Sequence, residues 1–206
     1  MKVFIGYVSL SGNTEKMAIN IKNRMKAVGC EVYMERLDTV EVDALKDFDL
    51  AFIGLYTWNL EDLPYEAHEF YEEIDQVDFA GMKAAFFGAG DLTHSKPCAA
   101  IDILSEKMKQ CGFDVYDRVL KIHHESSTYE QLRKSEDFAE HALIWGSNRK
   151  KWRFFMWEWM LGSPKYQKSV FLLRRVLDDY PIKFKGRSKK RGTYTRTSEI
   201  RDFQKI

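Results

Sequence analysis

Lys2-Val3-Phe4-Ile5-Gly6-Tyr7-Val8-Ser9-Leu10-Ser11-Gly12-Asn13-Thr14 is an apolar run that passes straight into a turn rich in hydroxyl and amide groups. Its first seven residues are too apolar for a surface strand and short enough for a buried parallel one. Beyond the turn, Met17, Ile21, Met25 and Val28 recur every three or four residues, the stripe of an amphipathic helix. Residues 9–14 are therefore a strand-to-helix turn at the carboxyl end of a first strand. Such a turn offers free backbone N–H groups and the positive end of a helix dipole. Ser9, Ser11, Asn13 and Thr14 add side-chain donors, and Gly12 admits a close approach of the backbone. With no Lys or Arg in it, the loop suits a phosphate monoester held by neutral donors, not a P-loop, which needs Lys and magnesium. On these six residues alone, a plain Ser/Asn helix cap is an equal reading.

The rest of the chain repeats the strand-helix rhythm. Residues 30–37 alternate weakly, as a second strand near an edge would, and an acidic stretch follows over 40–46. Residues 50–56 form an apolar run of buried-strand type, ending in Thr57-Trp58-Asn59-Leu60. After Pro64, the positions of Ala67, Phe70, Tyr71 and Ile74 predict a helix. Residues 83–90 predict a fourth strand closed by Gly88-Ala89-Gly90-Asp91, and residues 99–109 a helix with Ile103, Leu104 and Met108 apolar. A fifth strand is expected from Phe113 to Ile122, and a last helix from Tyr129 to Ile144. Over residues 1–146 this alternation implies an α/β domain, a doubly wound five-stranded parallel sheet with helices on both faces.

Charge divides the chain of 206 residues in two. The net charge of +1 hides 15 Lys/Arg against 26 Asp/Glu in residues 1–146, and 17 against 5 in residues 147–206. An acidic body suits basic protein partners and disfavours nucleic acid. Cys30, Cys98 and Cys111 lack metal-ligand spacing, and their odd number argues against a disulfide framework. His123-His124 likewise has no companions at ligand spacing, so no metal site is expected. The N-terminus opens directly on a strand, and no apolar stretch reaches the 18 residues of a spanning helix, so a cytoplasmic protein is expected.

Three loops at the carboxyl ends of the first, third and fourth strands share the edge where doubly wound folds place ligands. Residues 9–14 resemble the phosphate loop of the flavodoxin family, [ST]-x-[ST]-G-x-T, at every defined position. Thr57-Trp58-Asn59 followed by Leu63-Pro64 resembles that family's second flavin loop, and Gly90-Asp91 followed by Cys98 its third. The third loop departs from the family's usual Tyr and Phe with His94 and Pro97, and the second has Asn59 where Gly is frequent. The resemblance implies noncovalent FMN and electron transfer between a reductase donor and an acceptor enzyme. It implies that Ser9, Leu10, Ser11, Gly12, Asn13 and Thr14 hold the phosphate. Trp58 would cover one ring face and His94 lie on or near the other, with Thr57, Asn59, Leu60, Ala89, Gly90, Asp91 and Cys98 completing the site. An FMN-dependent quinone or flavin reductase, and a cofactor-free scaffold serving as an interaction or membrane-tethered module, remain as alternatives.

Residues 147–206 are unusual for such a domain. Trp152, Phe155, Met156, Trp159 and Met160 follow helical spacing beside Lys150, Lys151 and Arg153. Ser163-Pro164 reads as a cap and first helical residue, followed by a second stripe at Tyr166, Val170, Leu173, Leu177 and Tyr180. Residues 183–191 are strongly basic, a composition expected to be disordered in isolation. A C-terminal helical extension is expected, which packs on the acidic body or on a second copy. Membrane-surface contact through residues 150–191, peripheral to a cytoplasmic location, and docking of a redox partner are the other readings.

Overall fold

The structure, a computed structural model, describes residues 1–57, 62–79, 81–90, 98–123 and 128–147. All of them lie in Met1–Val170, the first of two units into which the chain divides. The elements are β1 (Lys2–Tyr7), α1 (Asn13–Ala27), β2 (Glu31–Arg36), β3 (Leu50–Tyr56), α2 (His68–Glu73), β4 (Lys83–Gly90), α3 (Ala99–Gln110), β5 (Asp114–Val115), β6 (Leu120–His123) and α4 (Thr128–Gly146). The sheet runs β2-β1-β3-β4-β5, with β6 also on β4, and every pairing is parallel.

Alternation along the strands sorts the apolar residues into two cores. Val3, Ile5, Leu50, Phe52, Ala85 and Phe87 face Met17, Ile21 and Met25 of α1 and Phe138 and Ala142 of α4. Phe4, Ala51, Ile53, Leu55 and Phe86 face Phe70 of α2 and Ile101, Leu104 and Met108 of α3. A strand buried on both sides cannot show a polar-apolar alternation, which is why β1, β3 and β4 read as continuous apolar runs. The residues of β2 alternate between exposed and half-buried over most of its length, as expected for an edge.

The fifth strand departs from expectation. β5 and β6 occupy one edge of β4 in succession, separated by residues 116–119. The Tyr116 N–H still donates to the Ala84 carbonyl at 2.8 Å. Its ring then turns into the core against Phe138 and Trp145, at centroid separations of 6.1 and 5.1 Å. Asp117 and Arg118 stay exposed and leave the ladder. The helix after Pro64 is also shorter than its stripe suggests, because 3-10 turns at Tyr65–Ala67 and Ile74–Gln76 flank α2. The acidic stretch after β2 folds into two further 3-10 segments that bury Leu37, Val42 and Leu45.

Close approach fixes Gly88 of β4. A Cβ there would lie 2.2 Å from the Leu55 carbonyl oxygen and 2.5 Å from Ile101 Cδ1. The first neighbour is backbone and cannot yield. Gly88→Ala is expected to destabilise the fold by about 1–3 kcal/mol, the usual range for overpacking, measured as a lower urea midpoint with an unchanged slope.

α1 and α4 pack side by side. Arg24 and Glu140 join them as an ion pair whose side chains are 14% and 10% exposed.

Candidate functional site

The candidate site is built on three neighbouring strand ends. The Val8 N–H donates to the Gly54 carbonyl at 2.8 Å, tying the start of the first loop to β3. Tyr56 stands beside Ala89 in the parallel register, so Thr57 and Gly90 follow from adjacent strands. A Cβ on Gly90 would come 3.1 Å from Cys98 Sγ, so the end of β4 rests on the residue that opens α3. Cys98 is 1% exposed and holds φ +62°, uncommon for a side chain with a Cβ. Burial pushes its thiol pKa up, which argues for a packing role and against a reactive thiolate.

Three hydroxyls converge in chemistry. Ser9 Oγ, Thr14 Oγ1 and Thr57 Oγ1 are buried and have no hydrogen-bond partner among the described residues. An orphaned buried hydroxyl costs about 1–3 kcal/mol, and here the orphans lie on two adjoining loops at one end of the sheet. Beside them Gly12 sits at φ +79°, and a Cβ built on it would meet nothing within 4 Å. α1 starts at Asn13, so its first-turn N–H groups and positive dipole end open on the same space. The arrangement can hold a compact anion through neutral donors. Asn13 Nδ2 donates to Ser11 Oγ at 3.2 Å, which braces the exposed crest of the loop.

The flavodoxin family model matches residues 5–135. The chain belongs to the flavodoxin family. Probable flavodoxin 1 of Bacillus subtilis is 35% identical over 150 residues, which cover 73% of this chain and 95% of that protein. A flavodoxin from Picosynechococcus is 40% identical over 115 residues, covering 54% of this chain and 66% of its own. Among solved structures, oxidised flavodoxin 1 from Bacillus cereus superposes with a TM-score of 0.66 at 32% identity, over 70% of this chain and 98% of that one.

In this flavodoxin the structure brings Ser9, Leu10, Ser11, Gly12, Asn13, Thr14 and Thr57 to the same sheet edge as Ala89, Gly90 and Cys98. Trp58, Asn59, Leu60, Asp91 and His94 lie outside the described residues, as does the extension from residue 148 onward. Beside the first loop opens a cleft of about 890 Å³ that the sequence did not announce. Leu10, Tyr56, Leu63, Tyr65, Tyr71 and Ile103 line it, with Asp62, Glu66 and Glu72 among its acidic groups. The signal was present as Leu63-Pro64-Tyr65 with Tyr71, but helical spacing grouped Tyr71 with Ala67, Phe70 and Ile74. Two carboxylates also meet phenols at this edge. Tyr7 donates to Glu15 Oε1 at 3.1 Å and Tyr56 to Glu66 Oε2 at 3.1 Å. Burial first, and these carboxylates with it, raise both phenol pKa values, so the rings stay protonated donors. Among the described residues no three His, Cys, Asp or Glu side chains gather to hold a metal ion. None of the described helices is long and apolar enough to cross a membrane.

Proposed function

We infer that this flavodoxin binds FMN noncovalently and carries electrons between redox partner proteins. The observation that carries the reading is the set of unpartnered buried hydroxyls of Ser9, Thr14 and Thr57 around the open space at Gly12. These groups fit the phosphate of a mononucleotide: three neutral donors, a helix N-terminus and no competing Lys or Arg in the loop. When bound, FMN supplies a ring that accepts and returns electrons one at a time.

The chain's own residues hold and insulate that ring. Residues 9–14 anchor the phosphate, with Thr57 donating from the second loop. By the family resemblance Trp58 would cover one ring face and His94 would lie on or near the other, while backbone groups of Asn59, Ala89, Gly90 and Asp91 would meet the polar ring edge. Leu60 and Cys98 would complete the second and third loops. Carboxylates nearby, Asp62 and Asp91 among them, repel added negative charge and so lower the potential of the second electron. They also present an acidic rim to basic redox partners.

Titration of the purified full chain with FMN, followed by tryptophan quenching, tests the cofactor. Saturation at one FMN per chain is expected, and a chain that leaves added FMN free in solution overturns the reading. His94 gives a finer prediction. Because a protonated imidazole offsets the carboxylates, the potential of the second electron rises more steeply on acidification through the histidine range than in His94→Tyr. Equal slopes in potentiometry of the two proteins remove His94 from the ring's surroundings.

A further inference from the structure

From Ser135 to Ser147 no residue of α4 or of its end is exposed, whereas α1 exposes Lys16, Ile19, Asn23 and Lys26 down its length. At 100° per residue, Phe138 and Ala142 mark the side of α4 on the sheet, and Glu140 and Ile144 fall on the far side, where an outer helix meets water. Glu140 is nonetheless 8% exposed and Ile144 half-buried. Arg24, which reaches Glu140 from α1, keeps a side chain only 14% exposed. The described elements that pack most on α4 are α1, whose Arg24 reaches Glu140, and β6, and neither contributes an apolar side chain to the two cores on that far side.

We propose that residues 150–160 of the same chain fold back across α1 and α4 and seal the Arg24–Glu140 pair under their aromatic stripe. Trp152, Phe155, Met156 and Trp159 share one helical face, so this segment has an apolar side that needs a cover as much as α4 does. Only two residues separate Ser147 from Lys150, the connection length of an antiparallel helix pair. A helix over residues 150–160 would run about 16 Å at 1.5 Å per residue, close to the span of α4 that is covered.

The cover has a functional consequence. Gly146, at the end of α4, packs against Leu50 and Lys83, the first residues of β3 and β4. The covered half of α4 therefore lies at the opposite end of the sheet from the loops around Gly12 and Thr57. The aromatic stripe is spent on the α1–α4 face, and the cofactor edge stays open to redox partners.

The test places the photo-reactive residue p-benzoylphenylalanine at Ile144, and separately at Glu136, in the full chain. Irradiation is expected to give a monomer-sized product joined to residues 150–160. The product should vanish when Trp152→Ser, Phe155→Ser and Trp159→Ser are introduced together. A dimer-sized product, a product formed only with anionic phosphatidylglycerol vesicles, or no intrachain product from either position overturns the proposal. Urea unfolding gives a second measurement: Arg24→Met should lower the folding constant at least tenfold more in the intact chain than in the triple-serine chain, and equal losses overturn it.

Discussion

Thr14→Val is expected to weaken FMN binding while making the cofactor-free protein more stable. The two effects have opposite signs because one atom causes both. Thr14 is 1% exposed, and its Oγ1 is buried without a partner among the described residues. In the absence of FMN, that hydroxyl has lost its water and gained nothing. Replacing it by a methyl of the same shape relieves an unsatisfied polar group, a gain of about 1 kcal/mol or more. With FMN bound, the same atom donates to a charged phosphate, a hydrogen bond of about 1.5–3 kcal/mol, so its loss weakens binding about 10- to 100-fold. Fluorescence titration gives the dissociation constant, and urea unfolding without FMN gives the stability. Thr39→Val serves as a control, since Thr39 Oγ1 donates to the Arg36 carbonyl at 2.9 Å on the exposed surface and should leave FMN affinity unchanged. A Thr14→Val protein that binds FMN as tightly as the parent would remove Thr14 from the phosphate site.

The candidate loop at residues 9–14 was legible in the sequence because its parts are contiguous. Residues 2–14 carry a buried strand, the turn and the first helical residues in unbroken order, and loop composition alone distinguishes neutral phosphate capture from a P-loop. The sheet was legible for a related reason: β1, β3 and β4 are buried on both faces, so each is an uninterrupted apolar run bounded by polar loops. Where an element depends on partners distant in sequence, the local pattern fails. Residues 113–122 carry enough apolar character for one strand, yet the Tyr116 ring turns under α4 against Phe138 and Trp145, and the strand splits there. Residues 40–46 read as an acidic stretch because Glu41 and Asp43 interrupt its apolar residues, although Val42 and Leu45, three residues apart, mark a single helical turn against the core. The cleft beside Leu10 depends on Tyr71 and Ile103, which lie on different helices and meet only once the sheet is formed.

Glu140 is the sharpest case of a residue whose sequence context misleads, and it carries the largest expected loss of stability. Within Glu136-Asp137-Phe138-Ala139-Glu140 it is one of three acids that the local sequence does not distinguish, yet it is buried and paired with Arg24. Arg24→Met should destabilise the fold by about 3–5 kcal/mol at neutral pH, because it leaves a buried carboxylate without its cation. Arg24→Met combined with Glu140→Leu should recover most of that loss, since an apolar pair carries no desolvation penalty. The pH dependence separates this account from simple loss of packing. Burial raises the Glu140 pKa above the ordinary carboxylate value and Arg24 opposes it, with Asp137 and Glu136 adding to the rise. A folded-state pKa raised in this way favours the protonated acid. Its contribution to stability is present below the unfolded pKa and is lost as pH rises through the folded one. Removing Arg24 takes away the opposing attraction and raises the folded pKa further. The Arg24→Met penalty should therefore be largest near neutrality and shrink as pH falls through the carboxylate range, whereas in the double variant it should be nearly flat. Urea midpoints for parent, single and double variants across that range measure it, and a penalty independent of pH would mean that Glu140 is solvated in the folded chain.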